Sequence, residues 1–471
     1  MERWSSHLTF ILAVVGAAVG LGNIWRFSAV LGQNGGGAYL IPYFIAVFCF
    51  ALPLMVLEIG VGRRFRGTVV SAFAAIRPPF KVIGWLVCIV SFLITGYYLV
   101  ITGWTFAYLT FSVTGAEVSF AAFTGSYTPV LFALACALIT GTIVAAGVRA
   151  GIERMVVVLV PLSIGILVIM ALYSTTLPGF SAGLSYLFTP DFSVLSDPGI
   201  WLAAFGQALF SLSVGQGVIL TYGAYMAQDQ DIRRSALVIT IADTSVALLA
   251  GLVIFPVVFS FGLSPTAGAE LAFTTLPMAF ASLPFGRILA VAFFMLLFFA
   301  AMTTTVALLE VCVAAVSEAV AWSRKKTAIV LTLLLLALTT LPALSYSALK
   351  LTIAGVPVLD FMDNTAGTLG LHLTAILLAV VFTHFAPPAL FYAETGGATR
   401  LNRAIFLLCK YLIPSVLILT VAAEILSGLH LPIGSWLPGT FFPGAFPVAE
   451  GLMLVVLLIL IAYGIASYLR R

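Results

Sequence analysis

The chain has 471 residues, of which 62% are hydrophobic and only 8% are charged, and its formal net charge is +4. This balance excludes a soluble globular protein, and basic residues spread over short loops do not make a nucleic-acid-binding surface. The five cysteines are dispersed through apolar segments, which argues against a disulfide framework or a metal centre.

Long apolar segments recur along the whole chain, and each can cross about 30 Å of hydrocarbon as a helix. They predict a polytopic all-α membrane protein in a lipid bilayer. Twelve spans are predicted, at residues 7–28, 37–62, 82–113, 128–147, 153–174, 199–226, 235–262, 287–319, 326–344, 351–386, 403–427 and 447–469.

The basic residues give the orientation. With twelve spans both termini lie on one side, and that side collects all but three of the 21 basic residues. The exceptions are Arg26, within a span, and Arg287 and Lys350, which fall on the opposite side. The positive-inside rule therefore predicts a multi-pass protein of the plasma (inner) membrane with both termini in the cytoplasm.

Span one is interrupted at residues 16–27, GAAVGLGNIWRF, which hold three glycines, Asn23 and Arg26. Glycine weakens a helix, and broken backbone at membrane depth is tolerated only inside protein or beside a cavity. The glycines could also serve close helix packing alone. Packing does not account for the asparagine and the arginine, so we expect a site where backbone groups face a ligand.

Span six has a matching interruption, because two serines, a glutamine and two glycines fall within residues 211–217. Spans one and six are the first helices of two groups of five. Five is odd, so the two groups are inverted relative to each other. Matching breaks in inverted halves indicate the binding site of a secondary transporter.

Polar residues near the middle of other spans could converge on the same place. Thr303 and Thr304 share one face of span eight with Ala300 and Leu308. Threonine hydroxyls often bond to their own helix, but next to a broken helix they could complete an oxygen cage for a hard cation. The other mid-span polar residues are Asn23, Tyr97, Tyr98, Ser211, Ser213, Asp243 and Thr305.

Several motifs resemble those of the neurotransmitter:sodium symporter family, in its prokaryotic amino-acid branch. They are GAAVGLGNIWRF (16–27), NGGGAYLIPY (34–43), GIERM (151–155), GQALFSLSVGQG (206–217), TYGAYM (221–226), DQDI (229–232) and AGLVIFP (250–256). The resemblance runs from Trp4 to Arg471. It implies one transmembrane domain, 1–471, with the LeuT-type 5+5 inverted repeat: 1–174, then 199–386, then two additional helices in 403–469.

The resemblance implies two sodium sites and no resident cofactor. The first would use the Ala18 carbonyl, Asn23, Ser211 and Asp243, together with the substrate carboxylate. The second would use the carbonyls of Gly16, Val19 and Ala300 and the hydroxyls of Thr303 and Thr304.

The same resemblance implies that an amino-acid carboxylate lies on the amides of Leu21 and Gly22 and on the Tyr98 hydroxyl. Gly20 replaces the aspartate that pairs with amine substrates in monoamine transporters, which favours an α-amino acid. Gln216 stands where an apolar residue is usual; it either admits a polar side chain or only satisfies freed backbone groups. The complete implied substrate set is Ala18, Leu21, Gly22, Ile94, Tyr98, Phe210, Ser211, Ser213, Gln216, Thr304 and Leu308.

Gates follow from the resemblance as well. Arg26 and Asp363 would form the outer gate, with Tyr98 closing over Phe210. Tyr225 and Glu318 would belong to the inner gate. Its usual basic partner is displaced, since Arg3 directly precedes Trp4, and an Arg3–Glu318 pair is therefore in doubt. Glu310 occupies a place where glutamine is common, and would either carry protons or stay neutral and hydrogen-bonded.

Chloride-dependent relatives resemble the chain at Tyr43, Gln207 and Ser211, but have neutral residues in span seven. Ala247 lies where some independent relatives carry glutamate, and Asp243 is one helical turn earlier. We therefore expect no chloride requirement.

These features predict a sodium-coupled symporter that imports a neutral, hydrophobic α-amino acid by alternating access. A proton-coupled or sodium-independent transporter of the same fold is an alternative. A non-transporting amino-acid sensor is another, although a sensor would be expected to carry an added soluble domain. No catalytic cluster is evident, so an enzyme is not expected. The oligomeric state stays open.

Overall fold

The structure, a computed structural model, describes residues 2–190, 192–265 and 271–428. The predicted twelfth span, 447–469, and hence the end of the 403–469 segment, lie outside these residues. Within them, nine helices are long and apolar enough to cross a membrane, and a bent pair at the N-terminus makes a tenth. The predicted all-α class is therefore confirmed.

The helices of the first part of the chain are α1 His7–Ala18, α2 Gly22–Gln33, α3 Gly36–Phe65, α4 Val69–Ile76, α5 Pro78–Thr114, α6 Phe120–Thr124, α7 Thr128–Ala145 and α8 Val148–Ser174. Those that follow are α9 Phe180–Phe188, α10 Pro198–Ser211, α11 Val218–Ala224, α12 Ile232–Ser260, α13 Leu276–Ala281, α14 Gly286–Val320, α15 Arg324–Ala343, α16 Val358–Phe385 and α17 Pro388–Thr395. The last helix within the described residues, α18, begins at Arg400 and ends with the segment Ile413–Gly428. A short 3-10 helix, Phe192–Ser196, precedes α10.

Each of the first eleven predicted spans has a helical counterpart, and most differ from the prediction by a few residues at one end. The first span continues to Gln33, five residues further than predicted, because α2 resumes after the break. The beginning of the tenth predicted span is not helical. Thr352–Ile353 (β1) and Val356–Pro357 (β2) form an antiparallel ribbon around Gly355, whose φ is +82°. Such a backbone conformation suits glycine and ends a helix.

Both interrupted spans are broken in the structure. The axis bends by 53° between α1 and α2. Between α10 and α11 the chain passes through residues 212–217, where Ser213, Gly215 and Gly217 have positive φ angles. Three left-handed residues in six cannot continue a right-handed helix.

The two broken spans lie inside a shell of longer helices, of which α5 and α14 pack most extensively against each other. Helix α3 holds α11 at very close range. A Cβ added to Gly62 would lie 2.0 Å from the Leu220 carbonyl oxygen, so only glycine permits this approach. The carboxylate of Glu58, also on α3, accepts a hydrogen bond from the Gly215 N–H at 2.6 Å. The second break is therefore fixed in position by α3.

Candidate functional site

The first break frees backbone oxygens at the end of α1. One further helical turn would direct the Gly20 N–H to the Gly16 carbonyl, but this N–H donates to Oδ1 of Asn23 at 3.1 Å. The helix ends at Ala18. Carbonyls at a helix C-terminus carry a partial negative charge, so this end of α1 attracts a cation.

Side chains from three other parts of the fold meet the same break. The Ala17 carbonyl accepts hydrogen bonds from Oγ of Ser213 at 2.9 Å and from Oγ1 of Thr304 at 3.2 Å. The Leu21 N–H donates to the Tyr98 hydroxyl at 3.1 Å. The first break thus lies directly against the second break, α14 and α5.

Three of the residues predicted for the first sodium site form one buried cluster. Nδ2 of Asn23 donates to Oδ1 of Asp243 at 2.7 Å and to Oγ of Ser211 at 2.8 Å. The Ser211 hydroxyl also donates to Oδ2 of Asp243, at 2.8 Å. Ala18, the fourth predicted member, lines the adjoining cavity. A buried carboxylate surrounded by short oxygen-bearing side chains is a suitable environment for a hard cation.

The residues predicted for the second sodium site also adjoin. Oγ1 of Thr303 donates to the Ala300 carbonyl at 2.9 Å, and Oγ1 of Thr304 lies 3.2 Å from the same oxygen. Helix α1 packs against this pair, because a Cβ on Gly16 would lie 3.4 Å from Cβ of Thr303. Val19, at the end of α1, is buried as well. The hydroxyls bond to their own helix, yet each oxygen keeps lone-pair capacity for a cation.

A small cavity lies beside these clusters. Most of the predicted substrate contacts line it. These are Ala18, Gly22, Ile94, Tyr98, Phe210, Ser213, Gln216, Thr304 and Leu308. The other two, Leu21 and Ser211, lie behind the wall in the hydrogen bonds given above. Sequence reasoning did not include Ala17 and Gly20 among the lining residues, although both adjoin predicted ones in the chain.

Gly20 and Gly22 keep the cavity open because they have no side chains. A Cβ on Gly20 would lie 2.7 Å from Oγ1 of Thr304 and 2.9 Å from the Tyr98 hydroxyl. A Cβ on Gly22 would lie 2.9 Å from the Phe210 ring. Larger residues would fill the cavity at the point where the amides of the broken helix are most accessible.

The predicted outer-gate residues lie near one end of the cavity but are not joined. Nη1 of Arg26 donates to Oε1 of Gln207 at 3.0 Å, and its guanidinium lies over the Phe210 ring, 4.8 Å from the centroid. Among the described residues no ion pair within 4.0 Å links Arg26 to Asp363. The Arg26 guanidinium is therefore engaged by Gln207 and Phe210.

The other end, towards the N-terminus, is closed. The Trp4 indole N–H donates to the Tyr222 carbonyl at 3.1 Å, and the Trp4 ring packs edge-on against the rings of Tyr222 and Tyr225. The Tyr225 hydroxyl donates to Oε1 of Glu310 at 2.7 Å. Glu310 also forms a two-point ion pair with Arg324, whose Nη1 is 2.9 Å from Oε1 and whose Nη2 contacts Oε2.

The doubtful Arg3–Glu318 pair is not formed, since both side chains are exposed and neither contacts the other. The Arg3 carbonyl accepts from Nε of Arg149 at 2.8 Å, and Glu318 accepts from the Thr68 hydroxyl at 3.4 Å. The acid at this closure is Glu310 instead, and the Arg324 guanidinium contacts both of its carboxylate oxygens. Sequence reasoning missed Arg324 because the basic run 324–326 was used only for topology.

Known proteins were compared with this chain. The model of the sodium:neurotransmitter symporter family matches residues 1–128 and 122–470. An uncharacterized sodium-dependent transporter of Haemophilus influenzae is 34% identical over 404 residues, covering 80% of this chain and 88% of the relative. One from Bacillus subtilis, YhdH, is 33% identical over 435 residues, covering 89% and 96%.

Among solved structures, the chain resembles MhsT in complex with L-phenylalanine. The TM-score is 0.83 at 37% sequence identity, covering 90% of this chain and 99% of MhsT. The sodium-dependent neutral amino acid transporter B(0)AT2 of Bos taurus is 29% identical over 292 residues, covering 54% of this chain and 40% of that protein. The family match extends over nearly the whole sequence, and the chain belongs to the sodium:neurotransmitter symporter family.

Proposed function

We propose that this protein is a sodium-coupled symporter that imports a neutral, mainly hydrophobic α-amino acid by alternating access. The observation that carries the proposal is the position of the cavity. It lies at the end of α1 and beside the buried cluster of Asn23, Ser211 and Asp243. A ligand in the cavity is then within reach of both candidate sodium sites.

The amino-acid backbone would be held at the first break. Its carboxylate would accept hydrogen bonds from the amides of Leu21 and Gly22, at the N-terminus of α2, where the helix dipole favours an anion. The Tyr98 hydroxyl already contacts the Leu21 N–H and would turn to the carboxylate. Apolar lining from Ile94, Phe210 and Leu308 suits a hydrophobic side chain. The bound L-phenylalanine of MhsT supports this class of substrate.

Electrostatics accounts for the coupling to sodium. Asp243 is completely buried, and an amino-acid carboxylate next to it would add a second negative charge in the same dry region. Such a pair is unfavourable unless a cation lies between them. Sodium at Asn23, Ser211 and Asp243 would relieve the repulsion, so each ligand raises the affinity for the other by the same factor.

The same carboxylate supports chloride-independent transport. Asp243 accepts from the Ser211 hydroxyl, and Tyr43 and Gln207 are buried. A fixed negative charge at this place would repel chloride and would take over its role. Sodium-driven uptake should therefore be the same in chloride and in gluconate, and a chloride requirement would contradict this part of the proposal.

The membrane placement follows from charge and surface. Large apolar side chains are exposed on the outer helices, such as Leu131 on α7 and Ile169 on α8, as expected beside lipid. The basic loops would face the cytoplasm with both termini. The two repeats, 1–174 and 199–386, would rock about the cavity. The contacts of Trp4 with Tyr222 and Tyr225 would close the cytoplasmic side.

Thermal stability of the purified protein tests the proposal directly. The twenty amino acids would be added one at a time, in sodium and again in potassium. We expect a stabilising shift from one or a few neutral amino acids, and only in sodium. An equal shift in both salts would instead favour the proton-coupled alternative. A folded sample that responds to none of the twenty would contradict an amino-acid substrate.

A further inference from the structure

One polar side chain that lines the cavity, that of Gln216, has an amide oxygen without a hydrogen bond among the described residues. Gln216 lies in the link between α10 and α11, flanked by Gly215 and Gly217, whose φ angles are +83° and +76°. It lines the cavity and is only 3% exposed. In the part of the chain that the structure describes, its Oε1 has no hydrogen-bond partner. A buried amide left in this way is unfavourable, so an absent partner is indicated.

Freed backbone groups of the second break do not explain the glutamine. The Gln216 carbonyl accepts from the Ser91 hydroxyl at 2.6 Å, and the neighbouring Gly215 N–H donates to Glu58. Both groups are satisfied by other helices. Of the two roles that the sequence leaves open for Gln216, bonding to the backbone is therefore not the one observed.

The other polar side chains of the cavity are already occupied at the opposite break. Ser213 and Thr304 donate to the Ala17 carbonyl, and Tyr98 accepts from the Leu21 N–H. These groups belong to the end of the cavity where the amino-acid backbone would be held. Apolar residues of the cavity lining, Ile94, Phe210 and Leu308, accompany Gln216.

From this geometry we infer that Gln216 is a specificity-determining residue that binds a hydrogen-bonding group on the substrate side chain. The inference rests on the proposed function and narrows it. The substrate class is then a neutral α-amino acid whose side chain combines apolar surface with one uncharged polar group, such as a hydroxyl, an amide or an indole N–H. A charged side chain is disfavoured, because the described lining holds no opposite charge.

Matched pairs of amino acids test the inference. Valine and threonine, leucine and asparagine, and phenylalanine and tyrosine differ in polarity at nearly the same size. Sodium-dependent binding of each would be measured on the full-length protein by thermal shift and by competition against a labelled substrate. We expect the wild type to prefer the polar member of at least one pair by about tenfold or more. A site with a buried polar group binds poorly any substrate that leaves this group without a hydrogen bond.

Gln216→Met keeps the length of the side chain and removes the amide. It should lower the polar-to-apolar preference by about 10- to 100-fold, the usual effect of losing one buried hydrogen bond. Gln216→Leu serves as a second variant if the first does not fold. The control Leu308→Met reshapes the same cavity without changing its polarity, so both members of a pair should shift together.

The results would distinguish a failure of the Gln216 assignment from a failure of the proposed sodium-coupled amino-acid transport. If the wild type prefers the apolar member in all three pairs, and Gln216→Met leaves the ratios unchanged, the inference is wrong while sodium-dependent amino-acid binding stands. If no amino acid binds in sodium, the proposed function itself fails. Inverted ratios in both Gln216 variants, with normal elution and unfolding profiles, would support the assignment.

Discussion

Arg324, the first residue of α15, contacts both carboxylate oxygens of Glu310 on the preceding helix α14. Glu310 in turn accepts from the Tyr225 hydroxyl of the second broken span at 2.7 Å. Glu310 is completely buried, and its charge is thereby balanced by a neighbour on the chain. The Tyr225 hydroxyl thereby connects this ion pair to the second broken span.

Removing that hydroxyl should loosen the closed end. Tyr225→Phe keeps the ring against Trp4 but deletes the bond to Glu310, and a hydrogen bond to a charged group contributes about 1.5–3 kcal/mol. We expect amide hydrogen exchange in residues 4–10 to become about tenfold faster or more. Tyr222→Phe is the matched control, because its ring also packs on Trp4 while Glu310 bonds to Tyr225. Equal rates in both variants would show that the bond does not hold the closure.

Neutralising the buried carboxylate should change the ion requirement. Asp243→Asn keeps the shape of the Asn23–Ser211–Asp243 cluster but removes its negative charge. We expect the sodium concentration for half-maximal stabilisation to rise about tenfold or more in gluconate, as one lost charge interaction of about 1.4 kcal/mol would give. Chloride should restore part of the affinity. Thr240→Ala, one turn earlier on α12, should leave the sodium response unchanged; a response of Asp243→Asn equal to wild type would contradict the ligand assignment.

The paired threonines offer a test of the second sodium site. Thr304→Val preserves the shape of the side chain and removes an oxygen that lies within 3.2 Å of both Ala17 and Ala300 carbonyls. Sodium affinity should fall by about tenfold, because losing one coordinating oxygen should cost about as much free energy as losing one hydrogen bond. Thr305→Val is the control, because its hydroxyl bonds to Thr140 and Met302 instead. Titrations of thermal stability with sodium would compare them, and similar losses in both variants would indicate a general packing effect.

Helix packing at α3 can be tested through stability alone. Gly62→Ala places a methyl group 2.0 Å from the Leu220 carbonyl oxygen, so α3 and α11 must separate. Overpacking of this kind costs about 1–3 kcal/mol or more, and the unfolding temperature should fall by several degrees. Gly165→Ala on α8 meets nothing within 4 Å and should be neutral or slightly stabilising. An unchanged unfolding temperature for Gly62→Ala would mean that the two helices are held less closely.

Much of this architecture is predictable, because hydropathy determines which segments cross a bilayer and glycine marks where helices fail. The breaks at 16–27 and 211–217 and the meeting of Asn23, Ser211 and Asp243 agree with the sequence prediction. The sequence pattern does not predict which residue forms an ion pair with Glu310. Arg324 is fourteen residues further on, and its place at the start of a helix looks like an ordinary topology charge.

The β ribbon at 352–357 is not predicted by hydropathy either, because its apolar residues resemble the beginning of a membrane span. Gly355 could have marked the turn. The role of Gln216 needed the structure for a different reason. Only the structure shows that Ser91 and Glu58 already satisfy the neighbouring backbone groups, and that Oε1 of Gln216 has no partner among the described residues.

The placement of Arg324 and Glu310 on successive helices has a consequence for turnover. In a gate whose acid and base lie on two parts of the protein that move apart, the ion pair must break in every transport cycle. Each of the two charged side chains would then have to be rehydrated. Here the cation and the anion are joined through the short turn 321–323 and would travel together. Opening the closed side by moving α11 away would break the Tyr225 bond but leave the Arg324–Glu310 ion pair intact, so these two charges would not have to be separated.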